Sequence, residues 1–153
     1  MRSTCVERTF VVDTLISSDL PRAAQTAEIL SKTLNTGVTP AMEWREVNNG
    51  VLAGMPEDQA SAMYPGLYWS SLEMDESYPG GESPAAFQER IEEAFRSLCD
   101  RVFKGQIGPR VMVVTHGGPI TVVLSLIEGR RGPTRDLRRQ RGLQKARSGH
   151  LAH

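Results

Sequence analysis

The order of apolar and polar positions predicts a strand, a turn and a helix near the start of the chain. Asp13–Ser17 is predicted to be a short strand, and Ser18-Asp19-Leu20-Pro21 follows it directly. Capping side chains and a proline suited to the first helical turn predict a helix start there. Asn35-Thr36-Gly37 ends the helical pattern, whose apolar face is formed by Ala23, Ala27, Leu30 and Leu34.

A helix, a strand and a second helix follow further along the chain. Ser83-Pro84 begins the most regular helical pattern, and Gly105 ends it. Val111–Val114 is a continuous apolar strand. The helix after it is marked by Ile120, Val123, Leu124 and Ile127 and ends at Gly129. A continuous apolar strand between amphipathic helices predicts an α/β fold with a mainly parallel sheet covered on both faces.

Composition and charge predict one acidic domain with a basic tail. At 153 residues the chain has the length of one domain, and no apolar run is long enough to cross a bilayer. The net charge is zero, yet residues 1–129 hold 10 Lys/Arg and 17 Asp/Glu, whereas residues 130–153 hold 8 Lys/Arg and one Asp. We expect a domain over 1–129 and a disordered or non-native tail over 130–153. No secretion signal is recognisable, so we expect a cytoplasmic protein.

Three polar residues lie where such a fold binds anions. His116 follows the apolar strand and precedes a glycine-rich helix start, where backbone N–H groups such as that of Gly117 attract anions. Arg22 lies in the first turn of the first helix, where its guanidinium can grip two phosphate oxygens. Glu46 lies in a glycine-containing loop, where burial or a nearby phosphate would favour the protonated form of a proton donor. The alternatives are a packed or capping histidine, a surface arginine and a solvated carboxylate.

Four segments, taken in order, resemble the histidine phosphatase superfamily, the phosphoglycerate-mutase-like clan. They are Ser17–Ala27, Arg45–Gly50, Gly80–Ser83 and Thr115–Gly118. The resemblance implies a three-layer α/β/α domain that cleaves phosphate esters through a phosphohistidine intermediate. It also implies that Arg22 binds phosphate, that Glu46 protonates the leaving group, and that His116 with the Gly117 amide stabilises the transferring phosphoryl group.

The nucleophile motif of that family is missing here. In the family the nucleophile is the histidine of an Arg-His-Gly motif on the first, central strand, and this tripeptide does not occur among the 153 residues. We therefore expect the first central strand to be missing, and we expect exposed sheet edges through which copies of the chain can associate. Loss of a covalent nucleophile costs on the order of 10^6 in turnover in other covalent enzymes, although the remaining groups can still bind ligand.

These observations leave three interpretations open. The one that we favour is a phosphatase or mutase family member whose sequence is truncated or altered, so that this chain is weakly active or inactive. The second is a pseudoenzyme that binds phosphoesters or protein partners. The third is a nucleic-acid-associated protein acting through residues 130–153, which we favour less than a solvated or frame-shifted end.

The expected ligand is a small phosphorylated substrate or inorganic phosphate, and no membrane partner is expected. No cofactor and no metal are expected, because phosphohistidine chemistry needs neither. The sequence does not indicate which substrate is bound or whether the reaction is that of a mutase or a phosphatase. Selectivity residues are expected in the loop region Met55–Tyr78.

Overall fold

The structure is a computed structural model, which describes residues 11–66 and 72–129. The chain forms two compact units. The first unit runs up to Arg45 and continues over Ser97–Thr115, and the second comprises Glu46–Arg96 and the residues from His116 onward. The basic tail predicted at residues 130–153 lies outside the described residues, so the predicted domain boundary at residue 129 stays a prediction.

The first unit contains a three-stranded parallel sheet. Its strands are β1 (Thr14–Ser17), β2 (Val38–Pro40) and β3 (Val111–Val114), in the order β2-β1-β3. β1 pairs in parallel with both neighbours, so that Ser17 lies opposite Pro40 on one side and Val114 on the other. The predicted α/β class with a mainly parallel sheet is confirmed.

The described residues form four α-helices, of which the first and the last two lie at the predicted positions. They are α1 (Pro21–Leu34), α2 (Glu57–Met63), α3 (Pro84–Phe103) and α4 (Gly117–Ile127), and the loops add single 3-10 turns at Met42–Trp44 and Gly50–Leu52. Pro21 lies in the first turn of α1, and Asn35 ends that helix in the left-handed conformation with φ 49°. Gly105 and Gly129, with φ 66° and 67°, follow α3 and α4. These are the predicted starts and ends.

α1 packs against the sheet through small side chains. Ala23 and Ala27 are buried on the face of α1 that contacts β1, and Leu15 and Ile16 are buried in β1. Because alanine side chains are short, the helix backbone can lie close to the strand. This packing holds the carboxyl end of β1 and the first turn of α1 in a fixed arrangement.

The predicted side-chain cap of α1 is wrong. The N-cap residue is Leu20, and no side chain caps the helix. Ser18 Oγ instead accepts a hydrogen bond from the Leu20 N–H at 3.3 Å. The Asp19 carboxylate is bound by the guanidinium of Arg45, so it is not available to the helix N–H groups.

β3 and α4 are less buried than their apolar sequences predict. All four residues of β3 are half-buried, because β3 pairs with only one neighbour, β1, among the described strands. Three of the apolar residues that mark α4 are about half exposed or more. They are Ile120, Leu124 and Ile127, at 49%, 51% and 65%.

Candidate functional site

The carboxyl ends of β1 and β3 are held side by side. The Ser18 N–H donates to the Val114 carbonyl at 2.9 Å, and Ser18 is fully buried. The Thr115 hydroxyl donates to the Trp44 carbonyl at 2.6 Å, and Trp44 is also buried. These hydrogen bonds fix the chain immediately before His116.

His116 is the N-cap residue of α4. Its backbone is extended, its side chain makes no capping hydrogen bond, and the residue is only 8% exposed. The interpretation of His116 as a side-chain cap therefore does not hold. The next residue, Gly117, is exposed, and a Cβ placed there would meet nothing within 4 Å. The first turn of α4 is thus open beside Gly117, and a helix N-terminus favours negative charge.

Glu46 lies at the same helix start. Its Oε2 accepts a hydrogen bond from the Gly118 N–H at 3.2 Å, and its Oε1 accepts one from the Val47 N–H at 3.0 Å. A Cβ at Gly118 would collide with Glu46 Oε1 and would lie 2.9 Å from Cζ of Phe87. Glycine at position 118 therefore allows the half-buried carboxylate to approach the backbone of α4.

Arg22 lies where the sequence predicts it, in the first turn of α1. It is exposed, and its carbonyl accepts a hydrogen bond from the Thr26 hydroxyl at 2.9 Å. Arg22 belongs to the first unit, whereas Glu46, His116 and Gly117 belong to the second. The structure thus brings Glu46 together with the helix start that follows His116, and it places Arg22 on a separate element of the other unit.

An ion pair in the first unit precedes Glu46 in the chain. Arg45 donates from Nε and Nη2 to the two oxygens of Asp19, each at 2.5 Å. The hydrogen bonds from Arg45 hold the pKa of the Asp19 carboxyl below its ordinary value, with partial burial opposing the shift. The same interaction raises the pKa of Arg45. Sequence reasoning treated Asp19 as a helix cap and assigned no partner to Arg45.

Two loops of the second unit interlock beside Glu46. The Val51 N–H donates to the Pro79 carbonyl at 2.9 Å, and the Glu82 N–H donates to the Asn48 carbonyl at 2.9 Å. Gly81 lies so close to the other loop that a Cβ there would be 2.5 Å from the Asn48 carbonyl oxygen. The loop carrying Glu46 is therefore held along its length by the loop that precedes α3.

A second ion pair joins these loops to α3. Arg90 donates to Glu82 from Nη2 at 2.5 Å and from Nε at 3.2 Å. Sequence reasoning missed this pair, although Glu82 lies in one of the four segments that carry the family resemblance. The spacing of Glu82 and Arg90 is twice the four-residue helical repeat, but only the structure shows that they meet.

The described residues hold neither a metal-binding cluster nor a membrane-spanning helix. No group of three or more His, Cys, Asp or Glu side chains in residues 11–66 and 72–129 could hold a metal ion. Within the same ranges, every helix is too short or too polar to cross a membrane.

Similarity to known proteins defines both the fold and the family of this chain. The parallel α/β fold is phosphoglycerate mutase-like: it is similar to that of a mycobacterial glucosyl-3-phosphoglycerate phosphatase in complex with inorganic phosphate, with a TM-score of 0.61, 28% identity, and coverage of 74% of this chain and 57% of that one. The α-ribazole phosphatase from Shigella flexneri has a similar fold, with a TM-score of 0.64, 20% identity, and coverage of 76% and 57%. The chain belongs to the histidine phosphatase superfamily (branch 1), whose family model matches residues 6–142.

The curated relatives are longer than this chain. Phosphoglycerate mutase-like protein 4 of Arabidopsis thaliana is 36% identical over 123 residues, which are 78% of this chain and 50% of the relative. The uncharacterized phosphatase PhoE of Bacillus subtilis is 27% identical over 120 residues, 78% of this chain and 55% of the relative. The chain thus spans about half the length of the curated relatives that it matches.

Proposed function

We propose that this chain carries part of a site that binds phosphomonoesters and protonates their leaving groups. The observation that supports this most directly is the Glu46 carboxylate held at the first turn of α4, next to His116 and the exposed Gly117. In hydrolysis, the proton of Glu46 would pass to the leaving alcohol oxygen as water attacks phosphorus and the P–O bond to the alcohol breaks, and the proton lost by the water would return to Glu46.

The other proposed contacts follow the family resemblance. His116 and the Gly117 amide stabilise the transferring phosphoryl group, and Arg22 binds phosphate. The mycobacterial phosphatase with inorganic phosphate and the plant phosphoglycerate mutase-like protein support a phosphorylated small molecule as ligand. No Arg-His-Gly occurs in the 153 residues. We therefore infer that this chain binds phosphate esters and hydrolyses them weakly or not at all.

Thermal unfolding with and without inorganic phosphate tests binding. A ligand present at 100 times its Kd stabilises the folded state by about 2.7 kcal/mol, so saturating phosphate should raise the unfolding midpoint. Arg22→Ala should remove most of that shift. Lys32→Ala, which removes one exposed positive charge from the same helix, should retain it. Equal shifts in both variants would remove Arg22 from the site.

Turnover of an alkyl phosphate, whose leaving group must be protonated, separates catalysis from binding. Hydrolysis that disappears in His116→Ala and Glu46→Gln would show that the proposed groups act in catalysis. Phosphate protection without hydrolysis would support a binding protein. Neither protection nor hydrolysis would overturn the proposal.

A further inference from the structure

The Glu82–Arg90 pair contacts the backbone immediately after the Glu46 side chain. Arg90 Nη2 donates to the Glu46 carbonyl at 3.4 Å, and Glu82 Oε1 accepts from the Asn48 N–H at 2.8 Å. All of these groups belong to one unit. The pair therefore touches the residue that carries the candidate acid and the residue two positions further on.

The Glu82–Arg90 ion pair is largely shielded from water and lies against an aromatic ring. The Arg90 and Glu82 side chains are 25% and 17% exposed, which limits screening by water. The guanidinium lies 5.2 Å from the ring centroid of Phe87, within the range of a cation–π contact. A bidentate guanidinium–carboxylate contact has a fixed planar geometry that lysine cannot reproduce. Arg90 is thus a rigid support that reaches the Glu46 loop from α3.

The same support extends to the other side of the Glu46 carboxylate. Phe87, which contacts Arg90, also lies next to the backbone of Gly118, the donor to Glu46 Oε2. Loss of the ion pair would free the Glu46 backbone and the ring that lies beside its hydrogen-bond donor. The carboxylate would then hold its position at α4 only through its own hydrogen bonds and the backbone hydrogen bonds between the two loops.

From these contacts we propose that Glu82 and Arg90 are positioning residues that fix the Glu46 carboxylate at the first turn of α4. The inference rests on the proposed function for its catalytic meaning, but the placement of the carboxylate can be measured separately. An alternative in which the pair only anchors the start of α3 makes a different prediction, because it leaves the Glu46–Gly118 hydrogen bond intact.

The backbone amide resonance of Gly118 in the 15N-labelled chain reports that hydrogen bond. Glu46→Ala removes the acceptor and defines the resonance position for a broken bond. Arg90→Gln and Glu82→Gln should move the Gly118 resonance most of the way to that position, and Arg90→Lys should move it part of the way. Arg96→Gln is the matched control, since it removes an exposed arginine that pairs with acidic residues on the same helix.

An unmoved Gly118 resonance in both Arg90→Gln and Glu82→Gln would overturn the proposal. Should either variant unfold, Arg90→Lys decides the matter, because it keeps the positive charge and loses the bidentate contact. An unmoved Gly118 resonance in Arg90→Lys would then count against positioning.

Hydrolysis supplies a readout that a purely structural effect would not move selectively. A misplacement of about 1 Å can cost on the order of 10²-fold in rate. Arg90→Gln should therefore slow an alkyl phosphate, which needs a protonated leaving group, more than p-nitrophenyl phosphate, which does not. A shifted Gly118 resonance without any change in phosphate binding or turnover would keep the positioning and reject the proposed function. Loss of turnover in Glu46→Ala, with the Gly118 resonance unmoved in the Arg90 and Glu82 variants, would support the proposed function and reject positioning by the pair.

Discussion

Three glycines in the interlocked loops should respond differently to alanine, because each is constrained in a different way. Gly80 has φ 70°, and a Cβ there would meet nothing within 4 Å. Gly81 does not have a positive φ, but its Cβ would lie 2.5 Å from the Asn48 carbonyl oxygen and 3.0 Å from the Gly50 nitrogen. Gly50 combines both constraints, with φ 54° and a Cβ that would collide with the Pro79 carbonyl.

These constraints rank the expected losses in the free energy of unfolding. A left-handed L-residue costs roughly 1–2 kcal/mol, and a less flexible unfolded chain offsets about 0.4–1 kcal/mol of this. Gly80→Ala should therefore lose at most about 1.5 kcal/mol. Gly81→Ala should lose about 1–3 kcal/mol to overpacking and about 1 kcal/mol to the strained Glu82–Asn48 hydrogen bond. With the same offset, its expected net loss is about 1–3.5 kcal/mol, and Gly50→Ala should lose more than either.

Urea unfolding followed by circular dichroism measures the three losses on one scale. Gly54→Ala provides a second variant with a positive φ and no neighbour within 4 Å, and it should behave like Gly80→Ala. A Gly81→Ala protein that is as stable as Gly80→Ala would show that the two loops do not interlock, and the support proposed for Glu46 would lose its basis.

Three further predictions concern other parts of the chain. Because the folded-state pKa of Asp19 lies below its ordinary value of 3.8, its contribution to stability is complete above that value and is lost as the pH falls through the lower one; the urea midpoint should fall more steeply in acid for the wild type than for Asp19→Asn, and parallel curves would contradict this. Leu15→Ala, at a fully buried position of β1, should lose about 2–5 kcal/mol in the same assay, whereas Ile29→Ala, at a position 67% exposed on α1, should stay within about 0.5 kcal/mol of wild type. Gly118→Ala should lower the urea midpoint, because its Cβ would collide with Glu46 Oε1 and lie 2.9 Å from Cζ of Phe87; an unchanged midpoint would refute the close approach of these residues.

Local signals in the sequence predicted most of the helices and strands. Pro21 and Asn35 bound α1 because a proline favours the first helical turn and an asparagine tolerates the left-handed conformation at the end. The strand before His116 was predicted from its continuous apolar run. Its half-burial was not, because the burial of a strand depends on which neighbours pair with it and not on its own composition.

The candidate site was predicted in part. The glycines after His116 indicated a helix start, and the structure confirms that start and brings the Glu46 carboxylate to it. The partners of charged side chains could not be predicted in the same way. Asp19 carries the signal of a helix cap, yet it binds Arg45, which is 26 residues away. Contacts at such separations depend on the fold of the loops, for which a single sequence provides no periodic pattern.

The hydrogen bond between Val51 and Pro79 closes the intervening chain into a ring with fixed ends. Doubling the length of a flexible loop whose ends are already joined costs only about 0.6 kcal/mol. Insertions or deletions between Ala53 and Ser77 should therefore leave Glu46 where it is. We expect this segment to be exchangeable with that of another family member, because the interlocked glycines outside it keep the neighbouring carboxylate in place.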